Sequence, residues 1–494
     1  MRISSLERAC FLLSFCFFLI FLPMGHLPSD TEYSVATALS ICEGRLSVEP
    51  SPGLVHLKKG RNGLYFSKYG IAYAVLLTPA AAASKILAPI LPVDHKHLLY
   101  GLAACTNTFL AALIIMLFAM IFKTMGYSGR VTLLSVAAIS VGSILLPYSK
   151  INHAEIPTTV FLLMFFLRLL SVEKLTFKDG NIFGIISSVL ILFKSGNAVY
   201  SFIIIAFGVY LIIRGKFTFT GASALFLWPA AAVLILCGLN LYRFGNIFNT
   251  GYGGEQYLFT TPLFTGLWGL LFSPSKALLI FSPLSVLCIV SIYSVSKRFK
   301  SIAVAAVLMI GGNLLFYSKW HDWHGGWCWG PRLIVPAIIL LHLFLPEFLD
   351  RMKQSNVQKS IFVLLLAAAA TVNITGALVW YQQIHYFHSD YRSLSGSHLA
   401  IAEKLLVNKI QGKPEVYTCS EFSNGCPGSS IWSDLINEGK IDFNSFETFQ
   451  GFSTMWSGLS RNYHLGFLWI IPLALILFVL AGGTVLWKKL LTKQ

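Results

Sequence analysis

Charged side chains are scarce in this sequence. Only 12% of its 494 residues are Asp, Glu, Lys or Arg, whereas 55% are hydrophobic, and the mean hydropathy is +0.69. A soluble protein would carry about a quarter charged residues. Most of the chain therefore cannot face water, and the composition indicates an integral membrane protein.

Acidic residues are fewer than basic ones. The sequence has 21 Asp and Glu and 37 Lys and Arg, which gives a net charge of +16. No basic stripe or aromatic stacking platform accompanies this excess, so we expect no nucleic-acid partner. The Lys and Arg residues gather instead in short loops, where they would contact an anionic inner leaflet. Membrane lipids are the partner that this charge pattern predicts.

Twelve apolar runs approach the length of about 20 residues that a membrane-spanning helix needs. The predicted spans are residues 9–24, 98–122, 131–147, 156–172, 181–194, 198–213, 219–239, 276–295, 301–317, 332–346, 360–380 and 465–487. With the N-terminus inside, every inside loop carries at least two Lys or Arg, as the positive-inside rule requires. The sequence predicts an all-α protein of about 12 transmembrane helices with both termini in the cytoplasm.

Three further absences refine this topology. No small-residue cleavage site follows the first apolar run, so we expect an uncleaved first helix. No internal repeat is visible, which leaves a duplicated transporter unsupported. Residues 69–91 lack an uninterrupted apolar run, because Pro79, Lys85 and Pro89 break it and Pro92 follows, and we expect an interfacial helix there rather than a further span.

The nine cysteines form no metal-type cluster, and most lie in apolar runs. Cys419 and Cys426 lie in a polar segment. Whether they form a local disulfide outside the cytoplasm stays open at this point.

The segments predicted outside the cytoplasm hold nearly all the Trp, His, Asn and Gly-rich stretches, so we expect any chemistry on that face. They are residues 25–97, 148–155, 240–275, 318–331 and 381–464. We divide the chain into a transmembrane catalytic region at 1–380, a cap at 381–464 that contacts the acceptor, and a last helix with a basic tail at 465–494.

Two acidic residues, Asp30 and Glu32, open the first outside loop. One interpretation is structural, because a carboxylate at a helix start caps the helix and complements its dipole. The other is chemical, because inverting glycosyl transfer needs a base to take the acceptor's proton. A lipid-phosphate leaving group departs as an anion, so such a reaction needs cations and no general acid.

Four cations stand at the outer ends of predicted helices, against the positive-inside bias. One interpretation of each is a side chain that snorkels to the interface. Together they favour a shared anionic ligand, which we identify with the phosphate of a lipid-linked donor. They are Lys68, Arg243, Lys276 and Arg332.

Other outside residues are candidates for substrate contact. Residues 320–329 hold four Trp, which are typical either of an interfacial belt or of stacking on sugar rings and prenyl chains. His153 and Glu155 are ionisable groups at the membrane edge, and the Gly-rich loop 245–257 allows close backbone approach. His321, Asp322 and His324 have a spacing that is only weak evidence for a metal. The predicted substrate-binding residues are Tyr69, His153, Glu155, Tyr252, Trp323 and Trp327.

At these positions the sequence resembles the multi-spanning GT-C glycosyltransferases. It is most similar to the bacterial branch of family 39, which is related to protein O-mannosyltransferases and to the aminoarabinose transferase of lipid A. The acidic pair carries this resemblance together with residues 65–79, 240–283 and 325–332, and it covers roughly residues 10–390.

The resemblance implies a polyprenyl-phosphate-sugar donor and an extracytoplasmic glycan, lipid or protein acceptor. It implies that Asp30 is the base and that Glu32 orients the acceptor or a cation. Many relatives place the two acidic residues side by side, whereas Thr31 separates them here, so the choice between Asp30 and Glu32 stays open. A divalent cation is compatible with the reaction but not required by it.

The sequence thus predicts an inverting glycosyltransferase of the bacterial inner membrane, with its active site facing the periplasm or the cell exterior. Two other functions remain as alternatives. The first is a transporter or flippase of a lipid-linked sugar, which would place its ionisable groups at the bilayer midplane. The second is a non-catalytic protein of envelope assembly.

Overall fold

The computed structural model describes residues 3–23, 29–51, 54, 56–326, 328–352, 355–379, 397–411, 456 and 469–492. Apart from short 3₁₀ turns and one two-stranded hairpin, the elements in these ranges are helices. The hairpin pairs β1, Lys58–Lys59, with β2, Tyr65–Phe66. The helices are α1 Ser5–Leu19, α2 Ser29–Ile41, α3 Ile71–Leu87, α4 His95–Thr124, α5 Gly129–Gly142, α6 Leu145–Tyr148, α7 Glu155–Leu169, α8 Phe177–Phe193, α9 Ala198–Ile213, α10 Phe219–Phe244, α11 Leu263–Phe272, α12 Leu278–Phe281, α13 Ser285–Arg298, α14 Lys300–Ser318, α15 Val335–Leu341, α16 Leu345–Met352, α17 Asn356–Leu378, α18 His398–Ile410 and α19 Ile470–Leu491.

Seven of the described helical stretches are long and apolar enough to cross a membrane, and the chain is a multi-pass membrane protein. They are His95–Thr124, Ser195–Ile213, Phe219–Phe244, Lys300–Ser318, Arg332–Met352, Asn356–Leu378 and Ile470–Leu491. The other five predicted spans overlap with α1, α5, α7, α8 and α13, which have 14 to 17 residues each. The predicted span at 131–147 is not one continuous helix, because α5 ends at Gly142 and Ser143 after it is extended, with φ −115° and ψ 160°. The total of twelve spans and the orientation of the chain stay predictions.

The predicted span at residues 276–295 is wrong as a continuous helix. The short helix α12 ends at Phe281, Ser282 leaves the helical region with φ −144° and ψ 69°, and α13 begins at Ser285. Pro283 lies in the break, and proline lacks the amide hydrogen that a continuous helix would use. The residues before the break are not part of α13. Among them, Lys276 contacts the carbonyls of Gly326 and Cys328.

The thirty-residue helix α4 is the centre of the bundle. Asp94 caps its start by accepting hydrogen bonds from the amides of Lys96 (2.8 Å) and His97 (3.3 Å). The helix packs against α1, α3, α5 and α7.

Asn107 of α4 donates hydrogen bonds to the carbonyls of Ile151 and His153, just before α7. Lys194, which follows α8, pairs with Glu155 at the start of α7. The start of α7 therefore lies close to both α4 and the end of α8.

The first outside loop is a packed unit on these helix ends. Helix α2 packs on α3, and α3 buries Tyr73, Ala74 and Leu77 against its neighbours. Its 17 residues confirm a helix within residues 69–91, and its interfacial position stays a prediction. Gly60 of the hairpin approaches the backbone of Arg243 so closely that a Cβ there would overlap the carbonyl oxygen. The loop is therefore held over the outer end of α10 as well.

Candidate functional site

A cavity of about 680 Å³ opens between the first outside loop, the start of α7, the end of α8 and the loops that flank α11 and α14. It gathers residues that are far apart in the sequence. Its ionisable and aromatic lining residues are His56, Lys68, Tyr69, Tyr73, His153, Glu155, Phe193, Lys194, Tyr252, Phe259, Phe316, Tyr317, Trp320, His321, Asp322 and Arg332.

Glu155 organises the buried end of this cavity. It is the first residue of α7, and its side chain is 3% exposed. One carboxylate oxygen lies 3.1 Å from the Lys194 ammonium and 3.5 Å from Nε of Arg332. The cationic side chains are 24% and 14% exposed, and both residues line the cavity together with Glu155. Two cations held by one carboxylate leave a net positive charge, which is suited to an anionic ligand.

Lys68 lines the cavity on the side of the first outside loop. It follows β2, and its ammonium lies 4.9 Å from the ring centroid of Tyr252 and 5.8 Å from that of Tyr69. The two tyrosine rings meet edge to face at 6.5 Å. Gly251 has φ +82°, and a Cβ there would contact Lys68 and the Phe244 ring. Glycine at this position thus allows Tyr252 to approach Lys68.

The other two predicted phosphate contacts, Arg243 and Lys276, are not in the wall of this cavity. Arg243 donates hydrogen bonds to the Ser67 carbonyl (3.0 Å) and the Asn240 side chain (2.9 Å). Lys276 is fully buried and donates to the carbonyls of Gly326 (2.9 Å) and Cys328 (2.8 Å). Arg243 thus fixes the backbone next to Lys68, and Lys276 fixes the backbone a few residues before Arg332.

Some of the predicted substrate-binding residues line the cavity and others do not. Tyr69, His153, Glu155 and Tyr252 line the cavity. Trp323 does not, because its ring is 8% exposed and packs against Gly269, while Trp320 of the same stretch is in the wall. Trp327 lies outside the described residues.

Two observations concern the residues that were considered for a metal site. Asp322 pairs with His324 at 2.8 Å. Within the part of the chain that the structure describes, no group of three His, Cys, Asp or Glu side chains could hold a metal ion. Cys419 and Cys426 and most of the predicted cap lie outside the described residues.

The acidic pair lies in the first turn of α2, near the cavity. Asp30 stands one helical turn before Ser34, and Ser34 lines the cavity. The side chain of Asp30 lies outside the described residues. Glu32 is two positions further along, which is the other side of a helix, and it is not a lining residue. Burial raises the pKa of Glu32 to about 7, and the Lys96 ammonium of α4 opposes that rise.

Lys194 is the functional candidate that the sequence analysis missed. It is the last residue of the predicted span at 181–194, and it is the only charged residue from position 181 to the end of the next predicted span at 213. A lysine at the outer end of a predicted span, followed by Ser195 and Gly196, was the signal that could have identified it.

The raised pKa of Glu32 predicts a pH-dependent stability. Its folded-state pKa of about 7 is above the ordinary glutamate value of 4.5. The protonated form is therefore favoured in the folded protein, and stability is lost as the pH rises from 4.5 through 7. We expect Glu32→Gln to melt higher than the wild type at pH 8, with the difference vanishing towards pH 5.

Thermal unfolding in detergent between pH 5 and pH 8.5 measures this difference. Glu49→Gln, at an exposed position of the same loop, is the control, and its difference from the wild type should not grow with pH. A Glu32→Gln difference that is equally flat would contradict the assignment.

No family model and no curated protein matches the sequence. Among solved structures, ArnT from Cupriavidus metallidurans bound to undecaprenyl phosphate is similar, with 12% identity, a TM-score of 0.50, and coverage of 97% of this chain and 77% of that one. The apo form of that protein gives 12% identity, a TM-score of 0.49 and coverages of 80% and 68%. The archaeal oligosaccharyltransferase AglB from Archaeoglobus fulgidus, in complex with an inhibitory peptide and a dolichol-phosphate, gives 10%, 0.45, 77% and 57%.

The first of these similarities confirms the predicted fold. This chain has an ArnT-like GT-C fold. At 12% identity the likeness concerns the fold, and the function must be argued from the site.

Proposed function

We propose that the chain is a membrane glycosyltransferase that moves a sugar from a polyprenyl-phosphate donor to an extracytoplasmic acceptor, with inversion at the anomeric carbon. The observation that carries this proposal is the cavity with three cationic side chains, Lys68, Lys194 and Arg332, on its walls. The fold of the chain supports the choice of donor, because the ArnT structure of the same fold was solved with undecaprenyl phosphate. The active site would face the periplasm or cell exterior of a bacterial inner membrane.

The three cations would stabilise the leaving group. In the proposed reaction the acceptor oxygen attacks the anomeric carbon, and the bond from that carbon to the phosphate oxygen breaks. The electron pair leaves with the phosphate, so negative charge grows there in the transition state. Preorganised cations in a site of limited water access stabilise such charge more strongly than they would in water.

Asp30 is the proposed base. The acceptor loses its proton as its oxygen attacks, and a carboxylate within reach accepts that proton. Asp30 is favoured over Glu32 because it lies one turn from the cavity residue Ser34, whereas Glu32 does not line the cavity. The acceptor would be an envelope glycan, a lipid or a protein.

Glu155 positions two of the cations in this proposal and does not itself contact the phosphate. It is buried, and both Lys194 and Arg332 contact it. It is therefore a positioning residue, which holds the two cations in the orientation that the phosphate requires.

A vesicle assay that follows the labelled sugar distinguishes a glycosyltransferase from a flippase. The purified protein in sealed vesicles is supplied with radiolabelled undecaprenyl-phosphate sugars and with membrane extract as acceptor. We expect label in a product that differs from the donor. Label that crosses the bilayer while still attached to the donor lipid would favour the flippase.

Lys68→Met should weaken binding of undecaprenyl phosphate by about 10- to 100-fold, because a hydrogen bond to a charged group contributes about 1.5–3 kcal/mol. Lys85→Met is the matched control, since Lys85 is an outside cation that pairs with Glu43 at 2.7 Å, away from the cavity. We expect wild-type binding for this control. Titration of both variants in nanodiscs measures the effect, and equal affinities for both would remove Lys68 from the phosphate site.

A further inference from the structure

The loop before α7 contains an asparagine whose side chain is buried without a hydrogen-bond partner. Asn152 is 1% exposed, and neither the nitrogen nor the oxygen of its amide has a partner among the described residues. A buried amide that makes no hydrogen bond costs free energy, so most such groups in folded proteins are paired. Because Asn152 lines the cavity, we expect its partner to be a molecule that the cavity holds.

The backbone around Asn152 is held in place. Asn107 of α4 donates hydrogen bonds to the carbonyl of Ile151 and, at 3.0 Å, to that of His153, the residues on either side of Asn152. The side-chain oxygen of Asn107 accepts from the hydroxyl of Tyr73 at 3.2 Å, and Tyr73 also lines the cavity. A fixed backbone beneath an unpartnered side chain is the construction of a preorganised binding site.

The two polar atoms of the amide restrict the chemistry of the ligand. The nitrogen donates hydrogen bonds and the oxygen accepts them, so a complete partner must both accept and donate. The phosphodiester of a lipid-linked sugar only accepts hydrogen bonds at neutral pH, and a prenyl chain does neither. A sugar hydroxyl does both. Of the three parts of the proposed donor, the sugar is therefore the part that fits Asn152.

The neighbouring Glu155 relates this position to the phosphate. One of its carboxylate oxygens contacts Lys194 and Arg332, which are two of the proposed phosphate ligands. Its other oxygen is buried and has no hydrogen-bond partner among the described residues. The sugar of the donor is bonded directly to the phosphate, so a phosphate on those cations brings sugar hydroxyls to this part of the cavity.

We propose that Asn152 determines which sugar is transferred, by exchanging hydrogen bonds with a hydroxyl group of the donor sugar, an inference that rests on the proposed function. A site that hydrogen-bonds a substrate hydroxyl rejects an analogue without it, because the buried polar group is then left unpaired. Donors that lack this hydroxyl, or that carry it in the other configuration, should be poor substrates.

The experiment combines one substitution in the protein with the removal of single hydroxyl groups from the donor. The wild type and Asn152→Ala are purified as the full chain in nanodiscs. Undecaprenyl-phosphate glucose, galactose, mannose and arabinose are tested first. The value of kcat/KM is then measured with the sugar that the wild type transfers best and with each of its monodeoxy analogues.

Asn313→Ala is the matched control. Asn313 is also 1% exposed, and its side-chain oxygen also lacks a partner among the described residues, but it does not line the cavity. We expect this variant to keep the wild-type preference among the donors.

We expect Asn152→Ala to lower kcat/KM for the parent donor by about 10- to 100-fold. One monodeoxy donor should be poor for the wild type by a similar factor and should suffer no further loss with Asn152→Ala. The substitution and the missing hydroxyl would then be non-additive, as two halves of one contact are. Undecaprenyl phosphate, which carries no sugar, should bind to the wild type and to Asn152→Ala with equal affinity.

Thermal unfolding without donor distinguishes this role from a structural one. An amide that has no partner in the protein contributes little to stability, so Asn152→Ala should melt at the wild-type temperature or above it. A clear drop in the melting temperature would show that the side chain supports the loop, and it would overturn the inference.

Three kinetic outcomes would also contradict the inference. Additive losses for every monodeoxy donor would show that Asn152 contacts no donor hydroxyl. An equal loss of affinity for undecaprenyl phosphate would assign Asn152 to the phosphate site, and a rise confined to the KM of the acceptor would assign it to the acceptor. If the wild type neither binds undecaprenyl phosphate nor transfers any sugar, the proposed function fails along with the inference.

Discussion

Asp30→Asn is expected to lower sugar transfer by about 10²- to 10⁴-fold, the range that one general base contributes. Asparagine keeps the size and polarity of the side chain at the start of α2, so the helix should form and the protein should insert. Only the ability to accept the acceptor's proton is lost. Binding of undecaprenyl phosphate should stay at the wild-type level, because the proposed phosphate contacts are elsewhere.

Glu32→Gln is the matched control for this prediction. It removes the neighbouring carboxylate on the same helix, and we expect transfer to stay within about tenfold of the wild type. Initial rates with saturating donor, together with lipid-phosphate titrations, measure both effects. The assignment of the base would be reversed if Glu32→Gln were the inactive variant and Asp30→Asn the active one.

Glu155→Ala should have the second large effect, on stability and on donor binding together. The substitution leaves Lys194 and Arg332 at the buried end of the cavity without the carboxylate that both contact. Removing one partner of a buried ion pair destabilises by about 3–5 kcal/mol, because the remaining charge is uncompensated. We expect a clear drop in melting temperature and the loss of high-affinity undecaprenyl phosphate binding.

A double variant distinguishes charge from packing in this prediction. Glu155→Gln/Lys194→Met removes one charge of each sign, and it should melt higher than Glu155→Gln alone, because fewer charges are left unpaired. Its affinity for the lipid phosphate should stay low, since Lys194 is absent. If the double variant melted no higher than the single one, the contacts between these residues would not be the source of the stability.

The sequence predicted the location of the site better than its contacts. The positive-inside pattern placed the polar loops on one face, and outside cations near helix ends indicated an anionic ligand. Lys68, Tyr69, Tyr252 and Arg332 do line one cavity. These residues could be predicted because a charge at a helix end is visible in a local pattern.

The orientation of each cation could not be predicted in that way. Lys276 and Arg332 are alike in sequence, since both stand at the outer start of a predicted span, yet one contacts two backbone carbonyls and the other faces the cavity. The difference depends on the carbonyl groups of Gly326 and Cys328, which accept hydrogen bonds from Lys276. Those are tertiary contacts, which a single sequence does not reveal.

Lys194 was missed for a related reason. Hydropathy treats a lone lysine at the end of an apolar run as a span boundary, and only the approach of α7 shows that it pairs with Glu155. The break before α13 was missed because the runs on both sides of the Ser282–Pro283 step are mostly apolar. Hydrophobicity alone cannot distinguish one continuous helix from two short ones.

The most direct test of the central claim is the stoichiometry of the reaction. The purified protein in nanodiscs is incubated with a labelled undecaprenyl-phosphate sugar and membrane extract, and both the glycosylated product and the released undecaprenyl phosphate are quantified. The account predicts that the two appear in equal amounts with the wild type and that neither appears with Asp30→Asn. Donor that binds to the wild type and crosses a bilayer, while no undecaprenyl phosphate is released from any sugar tested, would contradict it.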